Sequence, residues 1–259
     1  MTETINGVAV IEKAIKVLEF LVNHPSGVSL GKISKNLNMS KSTVYRILST
    51  FREYNYVTQN PQTGFYSLGG RMLIYENFIS SFDFSIFIYP YMQQFTDLTG
   101  LSTNLTQLEN NQSVTIKTCV PVATTSIKIE AEIGYHAELY CSASGKIFLT
   151  GFNDYEYNKY IETEKLLKIA PRTITDPEML KQDIAMTTSR GYSIEYLENE
   201  EHIISLGAPI YDIHGNICAA IATMMLALNV SDDDIKRLGA ELKKTAYLAS
   251  QALGYSYTM

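Results

Sequence analysis

The stretch NMSKSTVYRIL, residues Asn38–Leu48, places hydroxyls and basic side chains in a turn and in the helix that follows it. Ser40 is of the residue type that caps a helix N-terminus. Apolar side chains recur beyond it at helical spacing and predict a buried face: Val44, Ile47, Leu48 and Phe51. The side chains left mostly outside are Lys41, Ser42, Thr43, Tyr45, Arg46 and Ser49. The stretch therefore predicts a short helix with an apolar inner face and a polar outer face.

Two further helices are predicted before this one. The first has its apolar face on Ile11, Ala14, Ile15, Leu18, Leu21 and Val22, and the segment His24–Gly27 ends it. The second begins after Ser29, a candidate N-cap, and carries Leu30, Ile33 and Leu37. Two short helices joined by a tight turn are typical of a helix-turn-helix.

A β-hairpin is predicted after the third helix, with strands Tyr56–Gln59 and Phe65–Leu68 around the turn NPQTG. Three helices and a hairpin indicate a winged helix-turn-helix. Such a motif inserts its second helix into the DNA major groove, N-terminus first. Hydroxyls and a guanidinium suit phosphates and base edges, so the predicted DNA contacts are Lys41, Ser42, Thr43, Tyr45 and Arg46. The alternative is a small helical domain whose polar face is merely solvated.

Charge is distributed unevenly along the 259 residues, which is a comfortable length for two domains. Residues 1–70 hold seven Lys or Arg and four Asp or Glu, whereas residues 71–259 hold fourteen and twenty-three. The net charge of −6 therefore combines a basic front with an acidic rear, which suggests two domains with different partners.

The sequence also predicts the cellular setting. Three scattered cysteines, an odd number, favour a reducing compartment, and the N-terminus does not have the pattern of a signal peptide. The most apolar stretch, Ile217–Leu228, is too short to span a membrane and is predicted to be a buried strand. We therefore expect a cytoplasmic protein that does not associate with a membrane.

The rear of the chain is predicted to be an α+β domain. Residues 70–100 form two helical pieces, of which the first links the domains and the second carries Phe87, Tyr91, Phe95 and Leu98 on one side before ending at Gly100. Strands are predicted at 102–108, 113–120, 125–134, 204–212 and 215–226. Helices are predicted after residue 141, over 176–190 with an Asp176 cap and a Gly191 stop, and after the Ser231 cap.

An enzyme is not predicted. The four histidines are isolated, and none lies at metal-ligand spacing from a cysteine or another histidine. No phosphate loop or dinucleotide fingerprint occurs, so we expect no metal and no cofactor. Cys141 lies beside serines without an evident base and is best interpreted as a buried thiol at a turn.

Nearly the whole chain resembles the IclR family of bacterial transcription regulators. The resemblance is carried by SLGKISKNLNMSKSTVYRILSTFREYNYV with GFYSLG, by LYCSASGKIFL, and by GYSIEYLENEEHIISLGAPIYDIHGNICAAIAT. It implies a winged helix-turn-helix over 1–69, a linker helix over 70–82 and a GAF-like effector-binding domain over 83–259. It also implies that the protein is a homodimer or a homotetramer built as a dimer of dimers, and that it binds a double-stranded DNA operator.

The resemblance further implies a pocket for a small organic effector, such as a carboxylic acid or an aromatic compound. Its residues would be Ala143, Ser144, Gly145, Glu195, Ser205, Ala222 and Met224. The amides at the start of the helix near Ala143 would hold a carboxylate. Glu195 is one methylene longer than the aspartate usual there, and Ala222 and Met224 replace frequent hydroxyls. We therefore expect a smaller or more apolar ligand space, and a buried Glu195 that needs a donor from the ligand or a cationic neighbour.

Two functions follow from these observations. The first is a transcriptional regulator, repressor or activator, whose operator binding is controlled by an effector in the rear domain. The second keeps the DNA-binding front but makes the rear a redox sensor through Cys119 or Cys141, or a dimerising domain without a ligand.

Overall fold

The computed structural model describes residues 8–80, 83–122 and 129–256. The chain divides into two compact units, Met1–Asp83 and Phe84–Met259. Among the helices in the described ranges, none combines the length and the apolar content needed to cross a membrane.

The first unit has the elements of a winged helix-turn-helix. They are α1 (Ala9–Val22), α2 (Leu30–Asn36), α3 (Lys41–Glu53), β1 (Val57–Gln59), β2 (Tyr66–Leu68) and α4 (Arg71–Ser80). The side chains of Ser29 and Ser40 accept hydrogen bonds from the amides of Lys32 and Thr43, so both predicted caps are present. Strands β1 and β2 pair antiparallel and form the wing.

The core of this unit confirms the predicted face of α3 and corrects that of α1. Val44, Ile47 and Leu48 are buried. On α1, however, Val17 and Leu21 are buried, whereas Ile11, Ile15 and Val22 are half or more exposed. Helix α1 is apolar on more than one side, so spacing alone allows two faces. Packing on α3 and β2 selects the face that contains Val17.

The second unit is an α+β domain built on one antiparallel sheet. Its helices are α5 (Ser85–Thr99), α6 (Ala143–Thr150), α7 (Asp154–Thr163), α8 (Pro177–Arg190) and α9 (Asp232–Ala252). Its strands are β3 (Thr103–Glu109), β4 (Gln112–Cys119), β5 (His136–Glu138), β6 (Ser193–Tyr196), β7 (Ile203–Tyr211) and β8 (Ile217–Leu226). The sheet order is β5-β4-β3-β8-β7-β6. The predicted fold class is confirmed.

The two faces of the sheet differ in what covers them. Alternate residues of β7, including Leu206 and Ala208, pack in the main apolar core with residues of α5 and α9. The intervening residue Gly207 faces α6, where a Cβ would lie 2.8 Å from the carbonyl oxygen of Ala143. Since side chains alternate between the faces of a strand, α6 lies on the face opposite to α9.

Two sequence predictions about this unit need correction, and one helix is missing from the predicted elements. On α5, Ile88, Met92 and Phe95 are buried, but Phe87 and Leu98 are exposed, because the helix is apolar on several sides. The strand predicted over 125–134 falls partly on residues 125–128, which lie outside the described residues, and 129–134 form no strand. Helix α7 was not predicted, although its capping box of Asn153 and Glu156 is visible in the sequence.

The segment predicted as a linker helix is helical over Arg71–Ser80, and residues 81 and 82 lie outside the described ranges. The phenol oxygen of Tyr75 on α4 lies 2.5 Å from that of Tyr56, which precedes the wing. Helix α4 is therefore connected to the wing by a side-chain hydrogen bond.

Candidate DNA-binding surface and effector cavity

The N-terminal turn of α3 presents a set of hydroxyls in a fixed arrangement. The Ser40 hydroxyl lies 2.9 Å from that of Ser42 and 2.8 Å from that of Thr43, and it accepts the Thr43 amide at 3.2 Å. Lys41, Ser42, Tyr45 and Arg46 are exposed, and Thr43 is half-buried. All five predicted DNA contacts therefore lie on the accessible side of α3.

The basic side chains of this surface are not neutralised within the unit. Of the ion pairs formed between described side chains, none lies in residues 8–80. Arg46 and Lys41 thus keep their charge available beside the N-terminus of α3, where the helix dipole also favours an anion.

Arg52, at the other end of α3, is engaged differently. Its guanidinium donates to Oε1 of Gln59 on β1 at 2.5 Å. In the wing turn, Oδ1 of Asn60 accepts the amides of Gln62 and Thr63, which shapes the exposed tip. Arg52 therefore supports the wing, whereas Arg46 is free of such an engagement.

A cavity of about 500 Å³ lies between α1 and α3, and its lining includes Lys13, Arg46 and Thr50. Lys13 was not among the predicted DNA contacts. Its position four residues after the start of α1 gave no signal of this proximity to α3.

The second unit holds a cavity over the sheet face that α6 covers. Across adjacent strands, Glu195 pairs with Ser205 and Ser205 with Met224. Ala222 pairs with Gly207 and with Asn104 in a neighbouring row. Because Ala222 and Met224 are two residues apart, both rows face the same side of the sheet.

The cavity has two connected parts, an inner chamber of about 60 Å³ and an outer chamber of about 330 Å³. They share lining residues, among them Tyr135, Glu195, Asn199, Ser205 and Met224. The predicted effector residues that line the inner chamber are Ala143, Ser144, Glu195, Ser205, Ala222 and Met224.

Gly145 is the one predicted effector residue that does not line either chamber. Its amide already donates to the Ser142 hydroxyl at 3.1 Å, so it is not available to a carboxylate. A Cβ at this position would lie 2.3 Å from the Cα of Leu139. Gly145 therefore allows the close approach of α6 to the chain that follows β5.

Glu195 is 1% exposed and finds its hydrogen-bond donors within the protein. Its Oε1 accepts the amides of Glu198 at 2.6 Å and Asn199 at 3.1 Å, and its Oε2 accepts the Ser205 hydroxyl at 2.8 Å. Burial raises the pKa of the Glu195 carboxyl, and these bonds oppose the shift. The positive charge of Lys146 also lowers the pKa of Glu195, so the protein itself supplies both hydrogen-bond donors and the cationic neighbour that the sequence predicts as the alternative to a ligand donor.

A buried ion triad lies behind Glu195. The Lys146 ammonium is fully buried and lies 2.5 Å from Oε1 of Glu198 and 2.7 Å from Oδ2 of Asp183. It also donates to the carbonyl of Ile194 at 3.3 Å. Burial raises the pKa of the Glu198 carboxyl and the Lys146 charge lowers it. The triad fixes the turn between β6 and β7 against α6 and α8.

Polar side chains from β3 and β4 complete the inner chamber: Asn104, Thr106, Ser113 and Thr115. They place an amide and three hydroxyls in a chamber whose other lining residues include Ala137, Ala222 and Met224. Asn104 is 2% exposed, and its Oδ1 has no hydrogen-bond partner among the described residues. Sequence reasoning missed these residues, although polar side chains alternating with Leu105 on a strand indicate a polar face.

Two of the three thiols of this unit are buried, and Cys218 is half-buried. Cys119 is 1% exposed, and Cys141 is fully buried. Burial raises the pKa of the Cys141 thiol to about 12 and that of Cys218 to about 11. A thiolate, the form that reacts with oxidants, is thus disfavoured at Cys141 and Cys218.

Other features of the second unit contain none of the predicted site residues. A cavity of about 410 Å³ is lined by Phe148 and Phe152 from the α6 region and by Pro209 and Tyr211 from β7. Among the described residues, no three His, Cys, Asp or Glu side chains are grouped to hold a metal ion.

Both units match known families. Residues 10–61 match the family described as IclR helix-turn-helix domain, and residues 77–251 match the bacterial transcriptional regulator IclR C-terminal family. The second match covers more than half of the chain.

Individual proteins are similar over the full length. The DNA-binding transcriptional repressor YiaJ of Escherichia coli is 28% identical over 94% of this chain and 87% of its own length. The HTH-type transcriptional regulator KipR of Bacillus subtilis is 25% identical, over 95% of this chain and 97% of its own. The crystal structure of the Agobacterium tumefaciens repressor BlcR superposes with a TM-score of 0.79 at 25% identity, over 97% of this chain and 100% of that chain.

Proposed function

Because the chain belongs to the IclR family of bacterial transcriptional regulators, we propose that a small organic effector controls its binding to operator DNA. The protein is a DNA-binding transcriptional regulator and not an enzyme. We propose that the protein acts in the cytoplasm as a homodimer or a dimer of dimers. The residues that bind the operator and the effector are proposed below.

In this proposal Lys41, Ser42, Thr43, Tyr45 and Arg46 contact the operator. Their exposure on α3 supports the assignment, as do the unneutralised charges of Lys41 and Arg46. The hydroxyls beside Ser40 suit phosphate oxygens, and Arg46 suits a guanine edge or a phosphate. A dimer would present two such helices to half-sites one helical turn apart.

The effector occupies the cavity of the second unit. The observation that carries this assignment is the Oδ1 of Asn104, a buried atom of the inner chamber that accepts no hydrogen bond from any described residue. Leaving a buried acceptor unpaired costs free energy, and a bound molecule with a donor would recover it. Ala143, Ser144, Glu195, Ser205, Ala222 and Met224 line the site, whereas Gly145 serves packing.

The effector can change operator affinity only if it binds two arrangements of the protein with different affinities. The linker predicted over 70–82, which contains α4, would transmit the change by altering the separation of the two α3 helices in a dimer. In the same proposal, the DNA-binding domain spans residues 1–69 and the effector-binding domain spans residues 83–259.

The redox alternative is less well supported. Cys119 and Cys141 are both buried, and the Cys141 thiol is held protonated. A rear domain that only dimerises would not need a cavity lined by buried polar side chains.

The proposal is tested by a thermal-shift screen of small organic molecules on the full chain, followed by operator titrations with each stabilising compound. A true effector raises the melting temperature by mass action and also changes operator affinity. The proposal fails if compounds that bind the second unit leave operator affinity unchanged.

A further inference from the structure

The outer chamber of the effector cavity is strongly acidic. Glu130, Glu132, Glu195 and Glu200 line it, and among the lining residues that the structure describes there is no Lys, Arg or His. Glu195 lies at the junction with the inner chamber, and the other three are exposed at the mouth. Several carboxylates around a small concave site produce a strong negative potential there, which attracts cations and repels anions.

Two of these glutamates belong to a wall that is fastened to the sheet. The Thr118 hydroxyl donates to the carbonyl of Ala131 at 2.8 Å, between Glu130 and Glu132. Further along the wall, the Thr115 amide donates to the carbonyl of Tyr135 at 2.9 Å, and the Gly134 amide donates to the carbonyl of Thr115 at 2.8 Å. The acidic side chains at the mouth are therefore carried by backbone that is hydrogen-bonded to β4.

Two polar atoms that line the cavity have unused capacity to accept hydrogen bonds. Oδ1 of Asn104 accepts no hydrogen bond from any described residue. Oε2 of Glu195 accepts one, from Ser205, whereas a carboxylate oxygen can accept about two. A ligand that satisfies these atoms has to donate hydrogen bonds. The Tyr135 ring, which lines both chambers, is a suitable surface for a cation.

We propose that the effector of this regulator is a small organic cation, a primary amine whose ammonium group is held among the glutamates. A second hydrogen-bond donor of the same molecule reaches Asn104. This inference rests on the proposed function and names the chemical class of its ligand. A carboxylic acid, which the sequence led us to expect, would place its charge beside the buried carboxylate of Glu195.

The test compares molecules of matched shape and different charge on the full chain. One series is tyramine, tyrosol and para-hydroxyphenylacetate, and another is putrescine, butanediol and succinate. We expect at least one amine to raise the melting temperature by about 3–6 °C at ten times its Kd. The matched alcohol should bind more weakly and the matched acid should not bind.

Variants at the mouth test the role of charge. Replacing two of the three mouth glutamates, in the double variant Glu132→Gln with Glu200→Gln, should weaken amine binding about three- to tenfold, the effect of one or two partly screened charges. Glu201→Gln is the matched control, since Glu201 is exposed next to Glu200 but does not line the cavity. It should leave amine affinity unchanged.

A variant inside the cavity separates binding from folding. Asn104→Leu removes an unpaired buried acceptor, so the melting temperature of the ligand-free protein should stay the same or rise. The stabilisation by amines should disappear. A purely structural role of Asn104 would instead lower the melting temperature of the ligand-free protein.

The proposal is overturned if the acids or alcohols stabilise the protein as well as the amines, if no amine stabilises it, or if the mouth variant binds amines like the wild type. Operator titrations distinguish failure of the cation proposal from failure of effector control. They use a duplex selected from random DNA by the full chain. An acid that binds and changes operator affinity would refute the cation and keep effector control. An amine that binds the cavity without changing operator affinity would refute effector control and keep the cation site.

Discussion

Replacement of Arg46 by alanine removes one of the exposed charges of the candidate DNA-binding surface. Arg46 lies on the accessible side of α3 and forms no ion pair with a described residue. Its removal should therefore change the DNA complex and leave the folded unit intact. An arginine contact to a base edge or a phosphate contributes about 1–3 kcal/mol.

A homodimer carries two copies of Arg46, so the loss in operator affinity should reach about 2–6 kcal/mol. Since about 1.4 kcal/mol corresponds to a tenfold change, operator Kd should rise at least roughly 30-fold. If both contacts are to phosphates, the slope of log K against log salt should also fall by about two. Fluorescence anisotropy on labelled operator DNA over a salt series measures both quantities.

Arg52→Ala is the matched control on the same helix, because its guanidinium is engaged by Gln59 at the far end of α3. It should change operator Kd by no more than about threefold. Sedimentation should show the same assembly for wild type and both variants. An Arg46→Ala protein that binds the operator within threefold of wild type would refute the docking of α3.

Three further predictions concern the second unit. Lys146→Met leaves the buried Glu198 and the half-buried Asp183 without their cation and should lower the free energy of unfolding in urea by about 3–5 kcal/mol, whereas Lys181→Met, at an exposed ion pair, should cost less than about 1 kcal/mol. Glu195→Gln should be at least as stable as wild type at pH 7, because burial raises the pKa of Glu195. Ionisation of Glu195 therefore costs wild-type stability as the pH rises above the ordinary pKa of a carboxyl group. Thermal melts should show the difference between variant and wild type vanish as the pH falls toward that ordinary pKa. Serine at both Cys119 and Cys141 should leave the operator response to a ligand unchanged in anisotropy titrations, and loss of that response would favour the redox alternative.

How far the sequence predicts this molecule depends on how its apolar residues are arranged. Helix α3 is apolar on one side only, so its buried face, its cap and its exposed residues were all predictable. Helices α1 and α5 carry apolar side chains on several sides. Spacing alone therefore did not identify Val17 or Met92 as core residues, and tertiary packing decided.

The effector cavity shows a second limit. Its position followed from the resemblance of the segments around Ala143 and Glu195, and the cross-strand pairing of Glu195 with Ser205 agrees with it. Two of the three donors to Glu195 come from the turn after β6, where Leu197 has a φ of 59°. That conformation turns the amides of Glu198 and Asn199 back toward the carboxylate, and nothing in the residue types specifies it.

Whether occupancy of this cavity controls operator binding is decided by measuring operator Kd as a function of the concentration of a stabilising ligand. The account predicts a saturable change of about 5- to 150-fold, the usual range of coupling between two sites. It also predicts that Asn104→Leu abolishes this change while keeping the operator Kd measured without ligand. An operator Kd that stays constant at saturating ligand would contradict the account.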